Sequence, residues 1–226
     1  MAEESFRTEL FDQFSRIGQA LSSRVRVEVL YILSQGEKTV EQVAKQSRVS
    51  VANASHHLQK LKSVRLVASR KDGQHVVYRL GSEKVEALWQ CLQMTGEDRL
   101  LEVQELVRTF VQNRDDLEPV TREALLEKLG SEEMVLLDAR PEDEYIAGHL
   151  PGAISIDPKE LAERLSELPK EKTIIAYCRG PYCMFSFDAV ELLRAKGYTA
   201  LRLQDGFPEW KAENLPIETG QQGSDT

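Results

Sequence analysis

The chain has 226 residues, a formal net charge of −8 and a hydrophobic fraction of 41%. That length suits two domains of ordinary size, and the composition is that of a soluble globular protein. Apolar runs stay well short of the roughly 18 residues that a membrane helix needs, which excludes a membrane-spanning protein. Three cysteines do not make a disulfide framework. Because the N-terminus also lacks the features of a signal peptide, we expect a cytoplasmic protein.

Charge is divided unevenly along the chain. Residues 1–80 carry 13 lysines and arginines against 8 acidic residues, whereas residues 81–226 carry 16 against 29. A basic first third on an acidic chain indicates that the first part meets a polyanion and the rest does not. Charge is weak evidence by itself, so this interpretation needs a fold that presents the basic residues.

The first 63 residues predict four helices in close succession. Apolar residues recur at helical spacing over Phe6–Leu21 and again up to Gly36. Thr39 and Ser50 are suited to cap two further helices, the second of which runs over residues 51–63.

The segment after the fourth helix predicts a β-hairpin. Two alternating runs, Leu66–Arg70 and His75–Leu80, flank residues 71–74, which contain an Asp-Gly pair. Two helices joined by a short turn and followed by a basic hairpin are typical of a winged helix-turn-helix. The N-terminal part is therefore predicted to be a mainly α winged helix-turn-helix domain.

The second helix of the helix-turn-helix pair is small and polar on its outer face, as a helix must be to enter the major groove. Asn53 and His56 are placed to address base edges, and the basic hairpin is placed to address phosphates. The residues predicted to face double-stranded DNA are Ala52, Asn53, Ser55, His56 and Lys60 on the helix, and Arg70, Lys71 and His75 on the hairpin. A winged helix can instead serve as a protein-interaction module, but here the basic residues lie on the elements that would face DNA.

Two runs in this region resemble the ArsR family of transcriptional regulators. They are residues 21–30, Leu-Ser-Ser-Arg-Val-Arg-Val-Glu-Val-Leu, and residues 49–58, which contain Ser-His-His-Leu. The resemblance covers roughly residues 10–105. It implies a homodimer that binds an inverted repeat in a DNA operator, with dimer contacts from the first and last helices.

Many ArsR proteins sense metals, but their ligands are not matched here. Residues 36–41 contain no Cys-x-Cys, and the long helix predicted for residues 83–112, about 45 Å if continuous, contains no histidine. Gly96 is a place where that helix can bend or break. Cys91 alone cannot form a site that needs several convergent ligands. The sequence therefore predicts no metal site and no cofactor, and we expect Cys91 near the dimer seam.

A polar segment that ends in proline separates two halves of the chain. Residues 113–119 predict a linker between a DNA-binding and dimerisation domain, residues 1–112, and a second domain, residues 120–226. In the second domain, short apolar strands such as 135–138 and 172–177 alternate with helices. This pattern predicts an α/β domain with a parallel sheet.

Several motifs of the second domain resemble the rhodanese family over about residues 117–219. They are Leu-Asp-Ala-Arg at 137–140, Glu-Tyr-Ile-Ala-Gly-His-Leu-Pro-Gly-Ala at 144–153, Gly-Phe-Pro-Glu-Trp at 206–210 and Leu-Pro-Ile at 215–217. Asp205 stands where a second glycine is common in the family. The resemblance implies a rhodanese-like fold with a nucleophilic cysteine that carries sulfane sulfur as a persulfide.

The predicted reactive loop follows the second strand and leads into a helix. Such a loop gathers backbone N–H groups and the positive end of the helix dipole, which favour an anion and lower a thiol pKa. Cys178 is the predicted nucleophile and the thiol expected to have the lowest pKa. Arg179 adds positive charge, and Cys183 is a candidate resolving thiol. The remaining residues of the predicted active-site loop are Gly180, Pro181, Tyr182 and Met184.

Two positions of this loop depart from related enzymes. Met184 stands where a phosphatase loop needs arginine, so phosphatase activity is disfavoured. Cys183 stands where many active rhodaneses have arginine, and the loss of that cation argues against efficient turnover of an anionic donor such as thiosulfate.

The sequence favours a dimeric repressor whose rhodanese-like domain detects reactive sulfur or oxidants at Cys178, with the participation of Cys183. Two alternatives stay open. One is a rhodanese-type sulfurtransferase with an attached DNA-binding domain, and the other is a non-catalytic rhodanese fold that serves as an interaction module. The expected partners are a double-stranded DNA operator, a second copy of the chain, and a sulfane sulfur or thiosulfate-like small molecule, with no membrane contact.

Overall fold

A computed structural model describes residues 2–112 and 119–220 of the chain. The chain divides into two compact units, residues 1–94 and 95–226. Most of the predicted linker, residues 113–118, lies outside the described residues, so the linker and the domain boundaries beside it stay predictions. Among the described residues, no helix is both long enough and apolar enough to cross a membrane.

The N-terminal unit is a winged helix-turn-helix. Its helices are α1 (Ala2–Leu21), α2 (Arg24–Ser34), α3 (Val40–Gln46), α4 (Val51–Ser63) and the first part of α5 (Glu83–Arg99). The residues of α5 after Met94 belong to the second unit. Its strands are β1 (Lys38–Thr39), β2 (Val67–Asp72) and β3 (His75–Leu80). They form one antiparallel sheet in the order β1-β3-β2. The four predicted helices and the hairpin are confirmed, whereas β1 is too short to show an alternating pattern and was not predicted.

Local hydrogen bonds fix where the two helices of the helix-turn-helix begin. The Thr39 hydroxyl accepts from the N–H of Gln42 at 3.4 Å, and the N–H of Thr39 donates to the Gln42 side chain at 2.8 Å. This reciprocal pair satisfies two donors that the first turn of α3 leaves without partners. At the start of α4, the Ser50 hydroxyl accepts from the N–H of Asn53 at 3.2 Å. Both predicted caps are confirmed.

The core of this unit orients α4. Its fully buried side chains are Val29, Leu30, Val43, Ala54, Leu58 and Leu61. Ala54, Leu58 and Leu61 are the apolar face that the i, i+4, i+7 spacing predicts for α4. Because this face packs into the core, the opposite face of α4 lies in solvent.

The hairpin turn is tighter than predicted. Lys71 and Asp72 still belong to β2, so the connection consists of Gly73 and Gln74 alone. Gly73 has a φ of +58°, the left-handed conformation that two-residue hairpin turns favour. The turn predicted for residues 71–74 is therefore wrong by two residues, because the cross-strand pairing continues to the glycine.

The helix predicted for residues 83–112 is interrupted after Arg99 and not at Gly96. α5 ends at Arg99, and α6 (Leu101–Val107) and a π-helical turn (Arg108–Gln112) follow it. Between α5 and α6, the backbone of Leu100 is extended, with φ −103° and ψ 109°. Gly96, four residues before Leu100, stays helical.

A side chain beyond the break stabilises the end of α5. The amide group of Gln104 donates to the carbonyl oxygens of Glu97 and Asp98, at 2.9 and 3.3 Å. A helix end leaves such carbonyls without intrahelical partners. The partner comes from the next helix, six and seven residues away, and the apolar periodicity contains no signal of it.

The C-terminal unit is built on a parallel sheet. Its strands are β4 (Met134–Asp138), β5 (Ile154–Ser155), β6 (Thr173–Tyr177) and β7 (Ala200–Arg202), in the order β5-β4-β6-β7 and all parallel. Its further helices are α7 (Arg122–Lys128), α8 (Glu142–Ala147), α9 (Met184–Ala195), α10 (Phe207–Ala212) and a 3₁₀ turn (Leu165–Glu167). The predicted α/β domain with a parallel sheet is confirmed, whereas α8 and β5 were not predicted.

Alternate residues of the central strands supply two separate cores. Leu137 and Ile174 pack on one face together with α9, whereas Leu136 and Ile175 pack on the other with α7, α8 and α10. Because helices cover both faces, the strands are continuous apolar runs in the sequence. The carboxyl ends of β4 and β6 lie side by side, so the segments that follow them meet at one edge of the sheet.

Candidate functional site

The solvent face of α4 is the candidate DNA-contacting surface. Ala52, Asn53, His56 and Lys60 are exposed, and Ser55 is partly exposed. The structure therefore places all five of the helix residues predicted to contact DNA away from the core of the unit. The face begins with small side chains and ends with a basic one, which suits insertion between two phosphate backbones.

The basic hairpin residues differ in whether nearby carboxylates compensate their charge. Lys71 and His75 are exposed. Arg70 lies 2.7 Å from a Glu37 carboxylate oxygen and 3.0 Å from one of Asp72. Hydrogen bonds that Arg70 donates to Glu37 and then to Asp72 raise the pKa of Arg70 and compensate its charge. A DNA phosphate would have to displace these carboxylates, so Arg70 is a weaker candidate for phosphate contact than Lys71.

Residues 178–183, here called the cysteine loop, join β6 to α9. The N–H of Cys183 donates to the carbonyl oxygen of Gly180 at 3.1 Å, which closes the loop. Gly180 has a φ of +140°, which residues with side chains rarely adopt. A Cβ on Gly206, at the start of α10, would collide with the backbone nitrogen of Gly180. The path of the loop therefore requires glycine at both positions.

The two cysteines of the loop lie together. Their sulfur atoms are within covalent-bond distance and their Cα atoms are 6.3 Å apart, within the range that disulfides span. Cys183 is also the N-cap residue of α9. Cys178 is 1% exposed and Cys183 is 6% exposed. In this disulfide form, the pair presents almost no surface to a solute.

The positive charge predicted for the loop is already paired. Nε and Nη2 of Arg179 lie 2.9 and 2.7 Å from the two carboxylate oxygens of Glu144, on α8. This bidentate geometry is the strong form of an arginine–carboxylate pair. The Glu144 side chain is fully buried, and the guanidinium also lies 5.1 Å from the centre of the Phe185 ring. Arg179 thus ties the loop to α8, and its charge is compensated.

A second carboxyl group borders the loop. Glu209, on α10, accepts from the N–H of Gly206 at 3.0 Å. Its two oxygens are the atoms nearest to the place that a Cβ on Gly180 would occupy, at 3.3 and 3.4 Å. Burial raises the pKa of Glu209 to about 7, because a poorly hydrated carboxylate is unfavourable. This group therefore titrates near neutral pH beside the cysteine loop.

A buried charge network stands where β4 and β6 end. Asp138 accepts from Nη2 of Arg140 and from the hydroxyl of Tyr177, both at 2.6 Å. Arg140 also donates to the carbonyl oxygen of Gly148 at 2.7 Å, and its guanidinium lies 4.3 Å from the centre of the Phe207 ring. Burial, with the nearby Asp138 carboxylate, raises the pKa of Tyr177 well above its ordinary value. The network fixes the segments on which the cysteine loop rests.

Two family models match separate parts of the chain. The model described as "Bacterial regulatory protein, arsR family" matches residues 23–69. The model described as "Rhodanese-like domain" matches residues 121–213. The first segment contains α4, and the second contains the cysteine loop.

One relative spans both parts. The HTH-type transcriptional regulator Rv0324 of Mycobacterium tuberculosis is 40% identical over 221 residues, which cover 97% of this chain and 97% of the relative. The chain is an ArsR-family transcriptional regulator. Its C-terminal half is a rhodanese-like domain. Both resemblances noted in the sequence are thereby confirmed.

Other relatives match one half of this ArsR-family regulator. The cadmium resistance transcriptional regulatory protein CadC homolog of Staphylococcus aureus is 41% identical over 75 residues, 33% of this chain and 62% of the relative. A sulfurtransferase of Allochromatium vinosum is 31% identical over 100 residues, 43% of this chain and 92% of the relative. Because that match spans nearly the whole relative, a domain similar to this one also occurs without an attached DNA-binding domain.

The regulator's cysteine loop depends on two residues that the sequence motifs leave without a separate role. Glu144 and Glu209 both lie inside the motifs that resemble rhodaneses, where they are read only as part of a pattern. For Glu209, the available signal is a carboxylate among apolar and aromatic residues, because such a group needs a partner once it is buried. Glu144 gives no such signal, because it follows two other acidic residues, Glu142 and Asp143. The pattern does not identify that partner, which for Glu144 is 35 residues away.

Proposed function

We propose that this regulator is a repressor whose rhodanese-like domain senses reactive sulfur or oxidants through Cys178 and Cys183. The observation that carries the proposal is the position of the two sulfur atoms, within bonding distance in a buried loop. With a second thiol in that position, a persulfide on Cys178 can be converted into a lasting Cys178–Cys183 disulfide. A sensor needs such a product, because the signal must persist long enough to change DNA binding.

The proposed chemistry has two steps. The Cys178 thiolate attacks the outer sulfur of a persulfide RSSH, the S–S bond of the donor breaks, and RS⁻ leaves, so that Cys178 carries a persulfide. The Cys183 thiolate then attacks the Cys178 sulfur, hydrosulfide leaves, and a disulfide forms. Overall, RSSH and two thiols give RSH, H₂S and the disulfide. The two cysteines are oxidised and the sulfane sulfur is reduced.

DNA contact is proposed for the exposed face of α4 and for the hairpin. Asn53 and His56 would read base edges in the major groove, and Lys60 and Lys71 would contact phosphates. Membership of the ArsR family supports this assignment, as does the solvent exposure of these side chains. Arg70 has a smaller part, because carboxylates already surround it.

The proposed repressor is a homodimer that pairs through α1. Phe6, Phe11 and Phe14 on this helix are 66, 58 and 57% exposed. Three exposed phenylalanines on one helix form an apolar surface of the kind that marks an interaction site. A second copy of α1 would cover it. Cys91, exposed on α5, keeps its predicted place near the dimer seam as part of this proposal.

Sulfur transfer is the second candidate function. The similarity of this domain to a sulfurtransferase over nearly the whole of that relative favours it. Repeated turnover requires that Cys178 return to the thiol after each transfer. A neighbouring thiol at position 183 diverts the persulfide into a disulfide, so we rank transfer below sensing.

One experiment tests the proposal and separates the two functions. The reduced full-length protein is treated with cysteine persulfide, and mass spectrometry and DNA affinity are measured on the same sample, with a DNA site that the protein has selected from a random library. We expect a Cys178–Cys183 disulfide and a change in affinity. Cys178→Ser should abolish both effects, Cys183→Ser should hold the persulfide on Cys178, and Cys91→Ser is the matched control.

Two outcomes would contradict the sensor. A modified loop with unchanged DNA affinity would remove the link between sulfur chemistry and transcription. Rapid steady-state sulfur transfer by the Cys183→Ser protein, without any effect on DNA, would favour the sulfurtransferase.

A further inference from the structure

We propose that the cysteine loop takes sulfane sulfur from donors of low charge, namely organic persulfides and polysulfides, and discriminates against sulfur oxyanions such as thiosulfate. The inference rests on the proposed function, since it names the donor for that same chemistry. It follows from the charges that surround the loop.

The first charge is that of Arg179. Its Nε and Nη2 both donate to Glu144, at 2.9 and 2.7 Å. The Glu144 side chain is fully buried. A guanidinium and a carboxylate in contact act on a third charge as a dipole, whose field falls off faster than that of a single charge. A dianion in the loop therefore gains little from Arg179.

The second charge is that of Glu209. Its oxygens lie against the backbone of Gly180, in the middle of the loop. Half of this carboxyl group is ionised near neutral pH, because burial raises its pKa to about 7. An ionised Glu209 repels a dianionic donor such as thiosulfate more strongly than a donor of lower charge.

The third feature is Cys183 itself. It stands where many rhodaneses have an arginine, which would add a full positive charge, and it occupies the N-cap position of α9. A helix N-terminus supplies only about half an elementary charge. Another cation, Arg140, is paired with Asp138 at 2.6 Å, and both side chains are fully buried. Its charge therefore does not replace that of the missing arginine. At longer range, residues 81–226 carry 29 acidic against 16 basic side chains, which also disfavours anions.

The remaining side chains of the loop suit an organic group. Pro181 and Tyr182 lie between the two cysteines in the chain, and Met184 and Phe185 follow them. All four side chains keep some exposure. Apolar and aromatic surface of this kind can contact the carbon skeleton of an organic persulfide, whereas it offers nothing to the oxygens of thiosulfate.

The test measures how fast Cys178 gains sulfur from two donors. In Cys183→Ser, the persulfide stays on Cys178 and is counted by mass spectrometry after treatment with thiosulfate or with cysteine persulfide. Cys183→Arg restores the missing cation, and Cys183→Ser is its matched control. We expect Cys183→Arg to raise the thiosulfate rate about tenfold, the effect of one added charge at short range, and to change the persulfide rate less than about threefold.

A second measurement does not depend on sulfur transfer. In the Cys183→Ser protein, Cys178 is modified with methyl methanethiosulfonate, which is uncharged, and with its anionic sulfonatoethyl analogue. Each rate is divided by the rate at which the same reagent modifies mercaptoethanol, which corrects for intrinsic reactivity. We expect the anionic reagent to react about tenfold more slowly. Glu209→Gln should narrow the gap, and so should Glu144→Gln if the buried substitution folds.

The outcomes separate this inference from the proposed function. Equal normalised rates for the two methanethiosulfonates, or no gain for thiosulfate in Cys183→Arg, would overturn the charge argument and leave the sensor intact. If neither sulfur donor modifies Cys178, both the inference and the proposed function fail.

Discussion

The two candidate functional surfaces of the molecule differ in whether their positive charges are compensated. On α4 and the hairpin, Lys60 and Lys71 stand exposed. In the cysteine loop, Arg179 is bound by the buried Glu144 and a second carboxyl group lies alongside. A surface that binds a polyanion gains from uncompensated cations, because phosphate contacts release counterions. A loop that holds thiols in register gains from buried pairs, which fix geometry at the expense of net charge.

The largest expected effect comes from breaking the buried network. Asp138→Ala leaves the fully buried Arg140 without its carboxylate, which should cost about 3–5 kcal/mol of unfolding free energy. The matched control is Glu28→Ala, which removes the exposed ion pair with Arg24 and should cost less than about 1 kcal/mol. Urea unfolding measures both. Equal costs would mean that the buried network adds nothing beyond a surface pair.

The close approach under the cysteine loop should be almost as sensitive. Gly206→Ala places a Cβ against the backbone of Gly180 and should destabilise the protein by about 2–4 kcal/mol. Gly96→Ala is the control, because that glycine is helical and has open space around it. It should stabilise the protein by about 0.5–1 kcal/mol. Thermal unfolding should shift in opposite directions, and a shared direction would contradict the close backbone approach at Gly180.

The carboxyl group beside the loop should make stability depend on pH. Burial raises the pKa of Glu209 from 4.5 to about 7, so the folded state binds the proton more tightly than the unfolded state. Stability from this group is complete below about pH 4.5 and declines as the pH rises to about 7, by on the order of 3 kcal/mol. Glu209→Gln should flatten that decline. An unchanged slope in the variant would assign it to other groups.

On the candidate DNA-contacting surface, substitutions should act by position. Asn53→Ala should cost about 1–3 kcal/mol with the selected DNA site and little with unrelated DNA, because it removes a base contact. Lys71→Ala should weaken both DNAs alike and reduce the dependence of affinity on salt. Fluorescence anisotropy over a salt series measures both. Identical behaviour of the two DNAs towards Asn53→Ala would misplace the reading face of α4.

The smallest effect concerns Arg70, a basic hairpin residue whose charge is compensated by carboxylates. Glu37→Gln frees Arg70 from its shorter contact, and affinity for any DNA should rise by less than about 1 kcal/mol. Asp72→Asn should act in the same direction through the longer contact. Because the gain is electrostatic, it should vanish at high salt. A loss of affinity would show that Glu37 orients the arginine for DNA.

The parts of the fold that sequence predicted are those with local causes. Thr39 and Ser50 cap their helices through residues three positions away, and the hairpin follows from alternation around an Asp-Gly pair. The end of α5 was missed, because its cause is an amide group on the following helix. The cysteine pair was predicted from the loop, whereas the compensation of Arg179 depends on a distant carboxylate brought close by the sheet.

The position of Cys183 at the head of α9 has a consequence for how the loop could report its state. Its side chain makes no capping hydrogen bond, and a sulfur committed to a disulfide has little capacity left to accept one. The first turn of a twelve-residue helix is thus anchored by a covalent bond rather than by a cap. Making or breaking that disulfide therefore changes how firmly the N-terminus of α9 is held, and it does so without adding a charge.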